Sequence, residues 1–254
     1  MSRGLGWNPS LPDHRDWKYQ ASPDPAALPA SVDLKPWCAP VEDQGELGSC
    51  TAFAIGGALE YLQNKEGLGH FTPSHLFIYW YERSREGTTG SDSGAMIRDG
   101  IYVVGHRGVY PEEYWPYDPA KYAEQPPTAW EEKVQKDVFK TYWSVGQSAT
   151  GMKSCLAEGY PFVFGVSCYD SFLSDEVAQT GVVPMPDPSE QLQGGHAILA
   201  VGYDSAASRV TFRNSWSSGW GDQGYGTIPF EYLESRDLAG DFWTLRSTGE
   251  TKSW

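Results

Sequence analysis

A cysteine placed where a Gly-Ser turn meets an apolar helical run, with a glutamine six residues before it, is a candidate nucleophile. The chain carries this arrangement in Gln44-Gly45-Glu46-Leu47-Gly48-Ser49-Cys50-Thr51-Ala52-Phe53-Ala54. A thiol there faces the unpaired N–H groups and positive dipole end of a helix, and both favour the thiolate. The Gln44 side-chain amide and the Cys50 backbone N–H could together hold a developing oxyanion. A lone cysteine at a helix start is most often a small buried hydrophobe; Gln44 and the Gly-Ser turn set this one apart.

Two later segments supply a base and its orienter. Gly194-Gly195-His196-Ala197-Ile198-Leu199-Ala200-Val201-Gly202-Tyr203 reads as a histidine entering a buried strand. Phe212-Arg213-Asn214-Ser215-Trp216 brings an asparagine to the end of the next strand. Cys50, His196 and Asn214, far apart in the chain and each at the tip of a core element, could act as nucleophile, general base and orienter. His14, His70, His75 and His106 stand in polar or helical contexts and read as surface or packing residues. Cys38, Cys155 and Cys168 read as structural thiols without metal-ligand spacing, and neither a metal nor a cofactor is expected.

These blocks resemble the papain family of cysteine peptidases, in particular its short bacterial members without a long propeptide. The match runs through Pro40-Val41-Glu42-Asp43-Gln44-Gly45 to Ala54, Gly195 to Tyr203 and Asn214 to Tyr225. Weaker agreement occurs at Leu28 to Asp33, Gly90 to Gly94 and Tyr114 to Tyr117. The resemblance implies an α+β fold of two lobes, a helical left lobe and an antiparallel β-barrel-like right lobe, with the active-site cleft between them. It implies a cysteine endopeptidase working through a thioester acyl-enzyme, with Gly48, Gly94, Gly195 and Trp216 along the substrate. A transpeptidase, ligase or amidase could use the same intermediate, and an inactive peptide-binding homologue is the third alternative. The chain departs from the family at Thr51, where tryptophan is usual, and at Gly195, where Asp or Asn is usual. Leu47 and Ser91 stand where secreted members carry a disulfide pair.

With 254 residues, 40% of them hydrophobic, the chain can bury one large core or two close lobes. A formal charge of −14 argues against a nucleic-acid partner, since phosphate binding needs a basic face. No apolar run suits a membrane span, and the start Met1 to Trp7 lacks the apolar core of a signal peptide. With the missing disulfide positions, this points to a cytoplasmic monomer acting on a peptide or protein substrate.

The elements that must position these residues follow from periodicity. A central helix is expected over about Ser49 to Asn64, with Gly56-Gly57 marking a close packing contact. Thr72-Pro73 should open a second helix reaching about Tyr81, and Ala95 to Gly105 a third, stopped near Gly108. Val163 to Val166, Ala197 to Val201, Val210 to Phe212 and Gly224 to Ile228 read as strands. Residues 28–120 are thus mainly helical and 121–254 mainly β, after an extension of residues 1–27. That extension is too short for a helical pro-segment and reads as an irregular strap, packed permanently on the body or lying across the cleft as a removable latch.

Overall fold

The computed structural model describes residues 3–22, 24–136 and 138–246; the outermost parts of the two expected regions, Met1-Ser2 and 247–254, lie outside them. Helix α1 (Cys50–Glu66) is buried on every side from Cys50 to Gln63, so it forms the centre of the molecule rather than an amphipathic cover. It ends at Gly67, whose φ of 65° lets the cap N–H reach the Gln63 carbonyl. Gly56 and Gly57 are contact points: a methyl group on Gly56 would come 2.6 Å from His75 Nε2, and one on Gly57 2.7 Å from an Arg213 nitrogen.

Helix α2 (His75–Glu86) starts later than the Thr72-Pro73 pair suggests. Ser74 is its cap, accepting the Phe77 N–H, while Pro73 bridges to Pro111 in extended conformation. Helix α3 (Ile97–Arg107) stops at Gly108 as expected. These helices form one lobe, and the other is an antiparallel sheet in the order β2 (Thr141–Ser144), β7 (Ala239–Arg246), β3 (Phe162–Tyr169), β4 (Leu192–Asp204), β5 (Arg209–Arg213), β6 (Tyr225–Pro229). A short β1 (Ser31–Asp33) pairs with the far end of β4, so the start of the helical half is tied into the sheet. Short helices α4 (Ala149–Ala157), α5 (Asp175–Thr180) and α6 (Phe230–Glu234) attach to the sheet lobe.

Residues 4–8 form no helix and no long strand, yet they are firmly held. The Gly4 N–H donates to the Gly45 carbonyl (3.1 Å) and the Trp7 N–H to the Gly195 carbonyl (2.9 Å). Ala95 grips the segment from the other lobe, donating its N–H to the Gly6 carbonyl (2.7 Å) and accepting the Asn8 N–H (3.0 Å). The segment therefore bridges the two lobes along the line where they meet. Farther on, Lys18 pairs with Ser144 at the edge of β2, while Leu11 between them is 81% exposed.

Candidate active site

Cys50 opens α1, and its position at the first turn follows from the Gly48-Ser49 turn before it. Asp92 holds that turn by accepting the Gly48 N–H with both carboxylate oxygens at 3.1 Å, and Tyr79 Oη donates to the same carboxylate. Ser49 makes no side-chain cap; its hydroxyl meets Tyr117 Oη at 2.7 Å, and Tyr117 Oη donates to the Gln44 carbonyl at 2.9 Å. The backbone N–H groups of Ala197, Gly6 and Thr51 lie within reach of the sulfur. Since Ala197 follows His196, the helix start and strand β4 meet at this point.

His196 enters β4 opposite Val166, and its Nε2 lies 2.8 Å from Asn214 Oδ1. The same Asn214 oxygen accepts the Ser215 N–H at 2.8 Å, which locks the amide and fixes its oxygen towards the ring. With Nε2 donating to Asn214, the other ring nitrogen, Nδ1, is left without a hydrogen-bond partner and is free to act as acceptor. Trp216 stacks on the imidazole, centroids 4.4 Å apart at 20°, and Phe172 stands edge-on behind both rings. The indole thus covers the His196–Asn214 bond from water.

Gln44 is fully buried, with its oxygen accepting from the Ser215 hydroxyl. Both amide hydrogens are in use: Nε2 donates to the Leu47 carbonyl at 2.8 Å and to the Gly4 carbonyl at 3.1 Å. One belongs to the body and the other to the N-terminal segment, so the Gly4 oxygen stands where a substrate oxygen could be received. Gly48, Gly94 and Gly195 all line the same segment. A methyl group at Gly94 would come 2.2 Å from the Gly6 carbonyl oxygen, one at Gly195 2.2 Å from that of Trp7, and one at Gly48 3.3 Å from that of Leu5. The Gly94 N–H is held by Tyr79 Oη at 3.1 Å, so the neighbouring Ala95 supplies the main-chain grip instead.

Burial opposes ionisation of both Cys50 and His196 in this closed form. Both residues have no exposed surface, because the N-terminal segment covers them. Burial pushes the Cys50 thiol up to about 12 and the His196 imidazole down to about 4, so near neutral pH both are uncharged. Thr51, at the position where tryptophan is usual in the family, donates its hydroxyl to Glu82 Oε2 at 2.8 Å, and burial holds that carboxyl well above the usual range.

Several residues around the site were not evident from sequence. Trp7 and Asp241 are the clearest, because they lie at opposite ends of the chain and meet only in the fold. Asp92, Ser215 and Tyr117 act on backbone or amide groups of the site, and a polar residue in a loop carries no sequence mark of such a task. Ser215 at least stood inside the Asn214-Ser215-Trp216 block. All four cysteines are unpaired, and among the described residues no His, Cys, Asp and Glu cluster could hold a metal ion. No helix among them is long and apolar enough to cross a membrane.

Residues 28–234 match the family model described as papain family cysteine protease. An uncharacterised peptidase C1-like protein of Acanthamoeba polyphaga mimivirus is 38% identical over 97% of this chain and 88% of its own length. Human cathepsin L2 is 31% identical over 78% of this chain, which spans 60% of that relative's length. Xylellain, a cysteine protease from Xylella fastidiosa, superimposes with a TM-score of 0.90 at 39% identity, covering 98% of this chain and 97% of the other. The chain belongs to the papain family of cysteine peptidases.

Proposed function

We infer that the protein hydrolyses peptide bonds with Cys50 as nucleophile, His196 as general acid and base, and Asn214 as the residue that orients the imidazole. The observation that carries this reading is the His196 Nε2 to Asn214 Oδ1 bond under Trp216, with Nδ1 left unpaired in a site shared with Cys50. In the reaction Cys50 loses its proton to His196 and its sulfur bonds to the substrate carbonyl carbon. The carbonyl oxygen takes negative charge and is received by the Gln44 amide and the Cys50 backbone N–H, a pair of donors of which each contributes about 10²–10³ in turnover. His196 returns the proton to the departing amine as the C–N bond breaks. Water, deprotonated by His196, then attacks the thioester carbon; the C–S bond breaks, the acid leaves and His196 returns the proton to the Cys50 sulfur.

The same reading makes residues 4–8 a removable latch. Arg3 to Leu5 share a cavity with Trp216 and Phe172, the leaving-group side by family resemblance, and Trp7 lies beyond Cys50 on the acyl side. A substrate must run from the acyl side to the leaving-group side, so the latch lies in the cleft in the opposite direction. Its carbonyl groups are therefore presented with the wrong sense for attack by Cys50. When it leaves, water returns, and the burial that keeps Cys50 and His196 neutral is lifted. The four unpaired thiols support residence in a reducing, cytoplasmic compartment, which cell fractionation checks.

A peptide-library digestion with Cys50→Ala as control tests the peptidase assignment. Cleavage by the native chain and none by the variant is the expected outcome. A variant that cleaves as well as the native chain removes Cys50 from the mechanism.

A further inference from the structure

Trp7 lies in a pocket whose floor carries no side chains. Its floor is made by Gly165 of β3, Gly195 of β4 and Gly240 of β7, and Gly165 is paired directly with Gly240 in the sheet. A methyl group on Gly165 would come 1.9 Å from indole Cε2, one on Gly195 3.0 Å from Cε3, and one on Gly240 3.5 Å from Cζ2. The indole therefore rests on bare peptide backbone, and the hole it fills has the width of a flat bicyclic ring. Trp7 is only 6% exposed there.

At the edge of this pocket Asp241 Oδ2 accepts the indole N–H at 2.9 Å and the Ser10 N–H at 2.8 Å. The backbone is bent to put the carboxylate there. Val163 pairs with Trp243 but Gly165 pairs with Gly240, so β7 spends three steps where β3 spends two. Such a bulge re-aims a side chain. Asp241 also has a φ of 56°, a left-handed conformation that an aspartate adopts at some cost and that persists where the surroundings require it. Both donors to this oxygen belong to the N-terminal segment, so its departure leaves a half-buried acceptor facing an empty apolar slot.

We propose that this pocket is the acyl-side specificity subsite, that it takes tryptophan in preference to other side chains, and that Asp241 is the residue selecting for the indole N–H. The proposal rests on the peptidase reading above and deepens it. The direction of the chain through the cleft is reversed for a substrate, but the hole and its acceptor are unchanged by that reversal. Phenylalanine fills the slot and leaves the Asp241 acceptor unmatched. Leucine leaves a void over the glycines. An arginine could donate to Asp241, but Arg98 lines the same cavity and is bonded to Asp16 of the N-terminal segment (2.5 Å). Arg98 is already a cation facing Asp241 in this cavity, and it opposes a second guanidinium there.

The test uses the full chain carrying Gly6→Ala, which disturbs the latch and leaves every wall of the pocket intact. Acyl-side positional libraries of fluorogenic peptides are profiled by kcat/KM. The expected result is a Trp-over-Phe ratio of about tenfold or more at one position, as a hydrogen bond to a charged acceptor supplies. Asp241→Gly removes the acceptor and suits the left-handed backbone; it should bring that ratio close to one. Equal rates for Trp and Phe in the parent, or an unchanged ratio in Asp241→Gly, overturn the proposal while leaving the peptidase assignment intact. Failure to cleave any library member counts against the peptidase reading instead. The subsite is then judged by calorimetric binding of the same peptides to Gly6→Ala with Cys50→Ala, where tighter binding of the Trp peptide supports it and equal binding refutes it.

Discussion

Gly6→Ala should open the cleft by the addition of one methyl group. That carbon would stand 1.9 Å from the Gly48 carbonyl oxygen, 2.4 Å from its carbon and 2.7 Å from its Cα. These are backbone atoms in a turn that Asp92 clamps, so the body cannot yield and residue 6 must lift. Lifting it breaks at least two bonds, Ala95 N–H to Gly6 O at 2.7 Å and Trp7 N–H to Gly195 O at 2.9 Å. At about 1 kcal/mol each, the closed form loses about 2 kcal/mol, and the open population rises about 30-fold. Only that open form offers a reactive thiol, since burial holds the closed one up at about 12 and a solvated cysteine ionises near ~8.5. The assay is iodoacetamide labelling of Cys50 at pH 7, followed by peptide mass spectrometry, with Gly90→Ala as control because a methyl group there meets nothing within 4 Å. The expected result is about 30-fold faster labelling in Gly6→Ala and no change in the control. A folded Gly6→Ala that labels Cys50 at the native rate would refute the idea that residues 4–8 gate the thiol.

Other outcomes follow from the same geometry. Asn214→Ala in the opened chain should lower kcat by about tenfold or more with little change in KM, because the ring loses its orientation and not its contact with substrate; a KM effect alone would contradict this. Thr51→Val should destabilise the fold by about 1–3 kcal/mol by leaving the buried Glu82 carboxyl unpaired, read as a lower urea midpoint at constant slope. Burial, reinforced by the charge of Glu42, pushes the Glu60 carboxyl up to about 7. The folded chain therefore holds this proton more tightly than the unfolded chain, whose glutamates titrate near ~4.3. Its contribution to stability is complete below about pH 4 and is lost as the pH rises through about 7. Urea midpoints of the native chain should thus fall across that window relative to Glu60→Gln, and parallel curves would exclude Glu60 as the source.

What could be read in advance depended on whether a residue's partner was near in sequence. The Gly48-Ser49-Cys50 turn fixed the start of α1 because the signal is local. Gly56-Gly57 marked a contact, but only the fold shows that His75 and Arg213 are what the two glycines admit. The start of α2 moved to Ser74 because Pro73 is drawn into a bridge with Pro111, a distant partner that capping chemistry cannot foresee. Strand β7 escaped notice since its bulge at Gly240-Asp241 breaks the alternation that identifies a strand. Dipole and N–H groups do favour the anion at Cys50, and the N-terminal segment overrides them by excluding water.

The exposed stretch around Leu11, between the segment at Cys50 and the anchor at β2, has a kinetic meaning. While that loop is intact, residues 4–8 return to the groove as a tethered group, at an effective concentration on the order of millimolar whatever the dilution of the protein. A single cut in the loop turns the same contacts into an encounter between two molecules. The freed peptide then loses the advantage of the tether, so a nick shifts the balance towards release.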